Sequence, residues 1–491
     1  MTDRYSWSAY GRCEVRKISL DQIAKAMGGT VSVSSPDCVV SRVGIDTRNL
    51  AGRDMFFALK GPRYDGHAFL CDALRAGVKA AVVNARNHLA YEFRAKNPGF
   101  PVVLVKDTTK ALGDLAAFVR EGLNVNAVSI TGTTGKTCTK DFLVSILLED
   151  RSVCASEDNQ NNEIGVPLTI FRANKKDSAL VTELGARHPG DIKRLVEIVK
   201  PGAGIITNVG PGHLKLFKTM EIVAETKAEL AVGLPEDGDL FLNAGDPSSV
   251  DIARKTRARV TRFGRGRGAA YRVDKVRVGE RGKCAFELCG PGFRIDVSLP
   301  LVGRHQVQNA LAAAACAHVL GSKPQAIKKG LQGASIARMR TECVECADGY
   351  LVINDAYNAN PPSMESALRT IGDVGGARRT IAVLGGMAEL GPSSREFHVE
   401  VGRKAAELDV DLLVAVGKMA RPIASGAVEG GMPKGSVFRC DDVMEALDTL
   451  KCIVEPRDVI LVKASRVFGL ESISNQLTSR AFIRDKLAAN V

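Results

Sequence analysis

One ten-residue segment constrains the fold of this chain more than any other. Residues 128–137 read VSITGTTGKT, in which an apolar strand runs into a glycine-bearing turn and then into a helix. Gly132 and Gly135 let backbone amides point at phosphate oxygens, and the helix N-terminus adds the positive end of its dipole. Lys136 supplies a charge for the β and γ phosphates, and Thr137 can place a hydroxyl on magnesium. The segment therefore predicts an ATP-binding loop between a parallel strand and a helix.

This loop is a shortened form of the general phosphate-binding pattern. The pattern GxxxxGK[ST] begins with glycine, and this chain has Ile130 at that position. We expect nucleotide contacts from all six residues at the turn, namely Gly132, Thr133, Thr134, Gly135, Lys136 and Thr137.

The rest of the chain predicts an α/β protein of three domains. At roughly 150 residues per domain, 491 residues give about three. Apolar runs ending in polar or glycine residues recur before the loop, at 56–61, 80–84 and 101–107, and again late in the chain, at 350–355, 380–386, 411–417 and 458–465. We expect an N-terminal domain over 1–126, a central P-loop ATPase domain with a mainly parallel sheet over 127–335, and a C-terminal Rossmann-like domain over 336–491.

Charge favours anionic partners without choosing among them. The chain carries 67 Lys and Arg against 55 Asp and Glu, a net charge of +12. Seven cations fall within 254–267, but with 7 Tyr and 1 Trp in the whole chain the aromatic half of a single-strand surface is poorly supplied. We expect a solvated turn there and no nucleic-acid partner. A nucleic-acid-dependent ATPase stays open as an alternative.

Cysteine usage and the N-terminal sequence predict a cytoplasmic protein. The 12 cysteines have no regular spacing, and the pair Cys343 and Cys346 lacks the second pair or histidines of a zinc site. The first 17 residues have no apolar signal-peptide core, and the apolar run over 310–320 is too short to span a bilayer. We expect reduced thiols, no membrane span and a monomer.

Polar side chains follow several predicted strands, where parallel sheets bind ligands. Glu183 ends the strand ALVTE and could hold magnesium, although a surface glutamate is an equal alternative. His213 follows another strand, but magnesium prefers oxygen, so composition alone does not select it. Asp355 and Asn358 follow the strand LVIN, ahead of a helix with Asn360 as its cap and Pro361 at its first position.

Six segments, taken in order, resemble the Mur ligase family. They are TGTTGKT, NQNNEIGVPLT, ELGARHPGDI, TNVGPGHL, GRHQVQNALAA and NDAYNANPPSME. With AVLGGMAELG, they are most similar to the members that add D-alanyl-D-alanine to UDP-N-acetylmuramoyl-tripeptide. The resemblance runs from about Ser41 to the C-terminus. It implies an N-terminal domain for the UDP-sugar, a central ATPase domain and a C-terminal domain for the incoming dipeptide.

The resemblance implies ATP and Mg²⁺ as cofactors and assigns roles to matching residues. Lys136, Glu183, His213 and Lys227 would form the catalytic group, with Thr137 as a further metal ligand. The remaining nucleotide contacts would be Asn309, Arg338, Asp355 and Asn358. The uridine diphosphate would be bound by Asp46, Thr47, Arg48, Lys60, Gly61, Asp65, Gly66 and His67. The muramoyl peptide would meet Asn159, Asn161 and Asn162, and Lys463 and Ser465 would also contact substrate.

Lys227 falls where several members carry a lysine carbamylated by CO₂, which would convert a cation into an anionic metal ligand. The alternative is an exposed helical lysine between Glu225 and Glu229. Three positions depart from the family pattern: Ala337 and Ala464 replace glycines, and Gln160 replaces an aromatic residue. The alanine at 464 matters only if that backbone needs a positive φ angle.

The implied reaction is an ADP-forming amide ligation through an acyl phosphate, in the synthesis of peptidoglycan precursors. Ligases that add a single amino acid, including folylpolyglutamate synthetases, are the nearest alternatives, and the segment DAYNANPPSM argues against them. The sequence leaves open whether the third peptide residue is diaminopimelate or lysine. It also leaves open the role of the first forty residues.

Overall fold

The computed structural model of the chain describes residues 13–33, 35, 37–52, 54–335, 337–346 and 348–479. The start of the N-terminal extension, whose role the sequence leaves open, and the last twelve residues lie outside this range. The described chain forms three six-stranded sheets and one three-stranded sheet with helices packed against them. The expected three-domain α/β fold is confirmed.

The first sheet has four parallel central strands and an antiparallel strand at each edge. Its order is β1-β3-β4-β5-β6-β2. The strands are β1 (Cys13–Ser19), β2 (Thr30–Val31), β3 (Val39–Gly44), β4 (Asp54–Phe57), β5 (Ala80–Asn84) and β6 (Val102–Val105). The helices are α1 (Leu20–Ala26), α2 (Leu70–Arg75), α3 (His88–Lys96) and α4 (Thr108–Glu121).

The second sheet is parallel throughout, as its apolar strands predict. Its order is β12-β11-β10-β7-β9-β8. The strands are β7 (Asn126–Thr131), β8 (Val153–Ala155), β9 (Ala179–Glu183), β10 (Ala203–Ile206), β11 (Asp239–Asn243) and β12 (Arg259–Phe263). The helices between them are α5 (Lys136–Leu147), α6 (Gly165–Arg172), α7 (Asp191–Val199), α8 (Leu214–Phe217), α9 (Met220–Val232) and α10 (Ser249–Ala253).

An antiparallel three-stranded sheet follows, which was not predicted from the sequence. It consists of β13 (Arg272–Val278), β14 (Lys283–Gly290) and β15 (Phe293–Val302), and then come α11 (His305–Val319) and α12 (Pro324–Gln332). The cations of 254–267 precede this sheet. Three of them, Arg254, Arg257 and Arg259, form ion pairs with nearby carboxylates, which lowers the free positive charge of that surface.

The last sheet has five parallel strands and one antiparallel edge strand, in the order β16-β17-β21-β18-β19-β20. The strands are β16 (Glu342–Glu345), β17 (Leu351–Asn354), β18 (Thr380–Leu384), β19 (Leu412–Val416), β20 (Val437–Cys440) and β21 (Val459–Lys463). The helices are α13 (Pro361–Gly375), α14 (Ser394–Glu407), α15 (Arg421–Glu429), α16 (Val443–Ile453) and α17 (Glu471–Leu477). Asn360 caps α13 and Pro361 is its first residue, so both predictions are confirmed.

The first two domains share a hydrophobic interior. Buried side chains from both form one continuous cluster, which includes Leu115 of α4, Phe171 of α6 and Leu195 of α7. Arg120 Nε also donates to the Val199 carbonyl at 2.7 Å. Burial of this area from two sheets holds the N-terminal and central domains together as one block.

The C-terminal domain is joined to this block in a different way. Of the described residues in its two buried clusters, only Val302 of β15 comes from another domain. Polar contacts also cross this boundary, such as the 3.0 Å ion pair of Arg304 with Asp373. The divisions at 126/127 and 335/336 remain proposals: α4 ends before the first, and the second lies between α12 and β16.

None of the helices in the described part of the chain combines the length and the apolar character that crossing a bilayer requires.

Candidate active site

A cavity of about 850 Å³ lies between the central and C-terminal domains. Its wall combines the loops after β7, β9 and β10 with the first turn of α11 and with residues that follow β17. In parallel sheets such loops gather at one edge, so residues distant in sequence meet there. The cavity brings together the glycine-bearing turn, Glu183, His213, Lys227, Asn309 and Asp355.

The turn after β7 requires both of its glycines. Gly132 has φ +144° and Gly135 has φ +79°, conformations that other residues rarely adopt. A Cβ at Gly132 would lie 2.0 Å from Thr207 Oγ1, and one at Gly135 would lie 2.3 Å from Asn309 Oδ1. The absence of side chains here allows the turn to pack directly on β10 and α11.

Lys136 and Asn208 fix the shape of this turn. Lys136 Nζ donates to the carbonyls of Gly132 at 3.0 Å and Thr133 at 3.4 Å, so its ammonium lies inside the turn. Asn208 Oδ1 accepts from the Thr134 amide at 3.0 Å, and its Nδ2 donates to the Thr134 carbonyl at 3.1 Å. Asn208 thus orients the loop.

Glu183 is buried at the end of β9 and pairs with the start of α5. Its Oε2 accepts from Thr137 Oγ1 at 2.7 Å, and its Oε1 accepts from Asn161 Nδ2 at 2.9 Å. Burial alone would raise the pKa of Glu183, but the charges of Lys136 and Arg340 and these two hydrogen bonds hold the pKa below its usual range. The carboxylate is therefore anionic at neutral pH, and the alternative of a surface glutamate is wrong.

His213 lies on the cavity wall immediately before α8. Its backbone is left-handed, with φ +54°, and its Nδ1 is hydrogen-bonded to a carboxylate oxygen of Glu389 from the C-terminal domain. Burial lowers the pKa of His213 and the nearby Lys136 and Lys227 lower it further, against the opposing effect of Glu389. The imidazole is therefore mainly neutral at pH 7 and retains a lone pair.

Lys227 lies on α9 with 4% of its surface exposed, so the alternative of an exposed helical lysine is wrong. No described residue forms a hydrogen bond or ion pair with its Nζ. Burial, and secondarily the charge of Lys136, lowers the pKa of Lys227 to about 7. The neutral amine, which is the form that reacts with CO₂, is thus accessible to Lys227 near neutral pH.

The C-terminal domain contributes a second polar group to the cavity. Lys463, 2% exposed at the end of β21, donates to Asp355 Oδ2 at 2.6 Å and to the Asn358 carbonyl at 2.9 Å. The pair anchors the loop that follows β17. Ser465 is not on the cavity wall: its Oγ donates to the Ala359 carbonyl at 3.2 Å and so supports the same loop from behind.

The arginine facing the cavity differs from the one expected. Arg338 is exposed and does not line the cavity, whereas Arg340 does. The Arg340 guanidinium stacks on the Tyr357 ring at 4.2 Å, and its Nε is buried without a hydrogen-bond partner among the described residues. Arg338 and Arg340 lie two residues apart in a loop without regular periodicity, so the sequence carries no signal for which of their side chains points inward.

The expected muramoyl-peptide and adenine contacts also lie on the cavity wall. Asn159, Asn161 and Asn162 line it beside Glu183. Asn309, 8% exposed on α11, donates to Gln306 Oε1 at 3.0 Å. The cavity therefore has polar side chains along its length.

The residues expected for the UDP-sugar lie at another edge. None of them lines the cavity; they follow β3 and β4 of the first sheet. Arg48 Nη2 donates to Asp46 Oδ2 at 2.5 Å, and Thr47 lies between them in a short 3₁₀ turn. The backbones of Lys60 and Asp65 form an isolated antiparallel β-bridge across a turn that contains Gly61. The Gly66 amide donates to the Leu59 carbonyl at 2.7 Å.

His67 is a structural member of this group. It is 3% exposed; its Nδ1 lies 2.5 Å from Asp65 Oδ1 and its Nε2 accepts from the Asn84 amide at 2.9 Å. With both ring nitrogens engaged, the side chain holds the turn after β4 against the end of β5. Among the charged side chains expected to bind the UDP-sugar, those of Arg48 and Lys60 are exposed.

The three departures from the family pattern are accommodated. Ala464 is fully buried and does not have a positive φ angle, so alanine fits there without strain. The Ala337 amide donates to Asp141 Oδ2 at 3.2 Å. Gln160 Oε1 accepts from Thr169 Oγ1 at 3.3 Å, which connects the loop over 159–162 to α6.

Three domain models of one family match the chain. They are the Mur ligase family, catalytic domain (39–120), the Mur ligase middle domain (130–317) and the Mur ligase, glutamate ligase domain (339–466). Two similar relatives bear the name UDP-N-acetylmuramoyl-tripeptide--D-alanyl-D-alanine ligase. The one from Mycobacterium tuberculosis is 35% identical and the one from Escherichia coli is 34% identical, each over 94% of this chain and 98% of the relative.

Solved structures give the same result. A MurF crystal structure from Acinetobacter baumannii matches with a TM-score of 0.85 and 30% identity, over 95% of this chain and 99% of the other. The Thermotoga maritima MurF ligase in complex with ADP matches with a TM-score of 0.79 and 27% identity, over 93% and 100% of the two chains. By sequence over nearly its whole length and by fold, the chain belongs to the Mur ligase family.

Proposed function

We propose that the chain is an ATP-dependent amide ligase that joins D-alanyl-D-alanine to UDP-N-acetylmuramoyl-tripeptide in the cytoplasmic synthesis of peptidoglycan precursors. One observation carries this proposal: the phosphate-binding turn of the central domain and the Asp355–Lys463 pair of the C-terminal domain line the same cavity. A ligase of this kind must bring a nucleotide, an acid and an amine together, and near-full-length similarity to ligases of this name supports that acid and that amine.

The first step activates the acid. A carboxylate oxygen of the tripeptide attacks the γ-phosphorus of ATP, ADP departs, and an acyl phosphate forms. Lys136, inside the turn, lies where it can offset the charge of the β and γ phosphates, and the amides at the start of α5 add to this. The chain thus supplies positioning and electrostatic stabilisation rather than covalent chemistry.

The second step forms the amide. The free amine of the dipeptide attacks the acyl carbon, and the tetrahedral adduct collapses with release of phosphate. Closure of the C-terminal domain over the cavity would exclude water, which protects the acyl phosphate from hydrolysis. Asp355 and Lys463 hold the loop after β17 at the place from which the dipeptide would approach.

The donor set fits magnesium. Thr137 and Glu183 offer oxygen atoms that already lie 2.7 Å apart, and His213 offers a neutral imidazole on the same wall. A carbamate on Lys227, which lines the same cavity, would add an anionic oxygen ligand, so these four residues would hold the metal. Bound there, Mg²⁺ supplies Lewis-acid neutralisation of phosphate charge.

The UDP-sugar would be held at the edge of the first sheet. Arg48 and Lys60 present exposed cations that suit a diphosphate, and the Asp65–His67 pair keeps the loop beside Lys60 in place. The substrate then extends from this edge toward Asn159, Asn161 and Asn162 of the cavity.

The test is phosphate release from MgATP with UDP-muramoyl-tripeptide, with and without D-alanyl-D-alanine. Tripeptides that carry diaminopimelate or lysine, single amino acids and DNA serve as the other arms. We expect release to require a tripeptide and the dipeptide together, with a product heavier by the dipeptide less one water. Release that a single amino acid or DNA supports equally well would contradict the proposal, and the two tripeptide arms identify the third residue.

We predict that Arg340, and not Arg338, serves the nucleotide. Arg340→Ala should lower kcat about 10- to 100-fold, since its guanidinium is buried near Glu183 and positioned to offset phosphate charge. Arg338→Ala, the matched control two residues away, should change kcat less than about threefold because that side chain is exposed. Steady-state kinetics at saturating substrates decide between them, and a larger effect at Arg338 would reverse the assignment.

A further inference from the structure

The loop after β18 belongs to a segment that the sequence singles out and that the ligation steps above do not use. Residues 385–391 read GGMAELG, and we call them the β18 loop. The loop contains Glu389, whose carboxylate reaches His213 across the boundary between two domains.

The β18 loop is held firmly by its own domain. The Met387 amide donates to His398 Nε2 at 2.8 Å, and the Ala388 amide donates to Ser465 Oγ at 2.9 Å. The Ser465 amide in turn donates to the Gly386 carbonyl at 3.0 Å. Three contacts in three successive residues fix the backbone immediately before Glu389, so the direction of that side chain is set by the fold.

Both partners of the contact have unusual backbone conformations. Glu389 has φ +62° and His213 has φ +54°, in a region that non-glycine residues seldom occupy. Glu389 also accepts the Lys215 amide on its carbonyl at 2.9 Å, so the loop contacts α8 through main chain and side chain together. Backbone strain at two residues that meet across a domain boundary indicates that the contact is specifically built.

The hydrogen bond constrains the imidazole. A carboxylate can only accept, so His213 Nδ1 carries the proton and donates it, which leaves the Nε2 lone pair for another partner. Histidines that ligate metals characteristically donate their other nitrogen to a carboxylate in this way. Lys136 and Lys227 also act on the ring through their charge, but neither forms a hydrogen bond with it among the described residues.

We propose that Glu389 is a positioning residue: from the C-terminal domain it fixes the tautomer and orientation of His213, so that the metal site is complete only when that domain is closed on the central domain. This inference rests on the proposed function, in which His213 holds magnesium. It makes closure and metal binding mutually dependent, because each favours the same domain arrangement.

The experiment compares Glu389→Ala and Glu389→Gln with Glu396→Ala. Glu396 is an exposed residue of α14 in the same domain, and it gives the same change of net charge without touching the cavity. Two readouts are used on the full-length protein: kcat for ligation as a function of Mg²⁺, and Mn²⁺ affinity measured by electron paramagnetic resonance with ADP present. The second does not need turnover, so it remains informative if the acceptor in the proposed function is wrong.

We expect Glu389→Ala to weaken Mn²⁺ binding about 10- to 100-fold, with a matching rise in the Mg²⁺ concentration needed for half-maximal kcat. Glu389→Gln keeps an acceptor oxygen and should stay within about threefold of the unaltered chain, as should Glu396→Ala. In a His213→Ala background, Glu389→Ala should cause no further loss.

Two results would overturn the proposal: Mn²⁺ affinity in Glu389→Ala equal to that in Glu396→Ala, or Glu389→Gln as impaired as Glu389→Ala. The second result would mean that the negative charge, and not the hydrogen bond, matters. Thermal unfolding of each variant identifies a folding defect. If Glu389→Ala does not fold, Glu389→Gln still tests the proposal, because Mn²⁺ affinity well beyond about threefold below that of the unaltered chain would overturn it.

Discussion

Replacing Lys136 by alanine should lower the rate of phosphoryl transfer from ATP about 10³-fold, which is the size of loss expected when a main electrostatic contact to the transition state is removed. Lys136 Nζ lies inside the turn, 3.0 Å from the Gly132 carbonyl, and no other lysine ammonium lies within that turn among the described residues. Its charge also keeps the pKa of Glu183 low, so its loss weakens the anionic ligand as well. Single-turnover release of labelled phosphate measures the effect.

Lys193→Ala is the control for this variant. Lys193 is an exposed residue of α7 in the same domain, so its loss removes one positive charge without altering the cavity. ADP binding should persist in Lys136→Ala, because the turn amides and Asn309 remain. If the two lysine variants released phosphate at similar rates, the turn would not be the site of phosphoryl transfer.

Replacing Lys227 by alanine should lower kcat about 10²- to 10³-fold, and added formate or acetate should restore part of the activity. Lys227 is buried on the cavity wall with a pKa of about 7, so a reactive neutral amine is available there for CO₂. A small carboxylate diffusing into the vacated volume supplies the oxygens that the carbamate would have provided. Intact-protein mass spectrometry under gentle conditions, which preserve the adduct, should detect one added CO₂ on the unaltered chain alone.

The same chemistry predicts a pH dependence. A lysine pKa lowered to about 7 means that the amine is protonated, and closed to CO₂, as pH falls below 7. Activity of the unaltered chain should therefore decline below pH 7, and added bicarbonate should reduce the decline. Carboxylate rescue of Lys136→Ala as strong as that of Lys227→Ala would show that rescue is not specific to the carbamate position.

The sequence predicted those parts of the fold in which a local pattern has one structural reading. An apolar strand that enters a glycine turn and then a helix has few alternatives, and β7, the turn and α5 follow it. The Asn360–Pro361 cap of α13 is equally local. The antiparallel sheet of β13–β15 was missed because its strands alternate apolar with polar residues and are half exposed, so they lack the continuous buried runs by which the parallel strands were found.

The site residues that were missed or displaced depend on tertiary contacts. Arg340 and Tyr357 lie in irregular segments, where no period says which side chain turns inward. Glu389 acquires its partner only when two domains meet. Burial of Lys227 did carry a signal: it stands four residues after Val223 and three before Leu230, on the apolar face of α9. Because lysine is charged, the alternative of an exposed side chain was nevertheless kept for Lys227.

The single interior shared by the first two domains has a consequence for modularity. Exchanging the N-terminal domain between relatives would require the side chains around Leu115, Phe171 and Leu195 to be repacked, because these residues from two domains share one hydrophobic core. The C-terminal domain keeps its own interior and borrows only Val302. Specificity for the incoming amine can therefore change by exchange of the C-terminal domain alone. The UDP-sugar site and the nucleotide site, whose domains share a core, must evolve together.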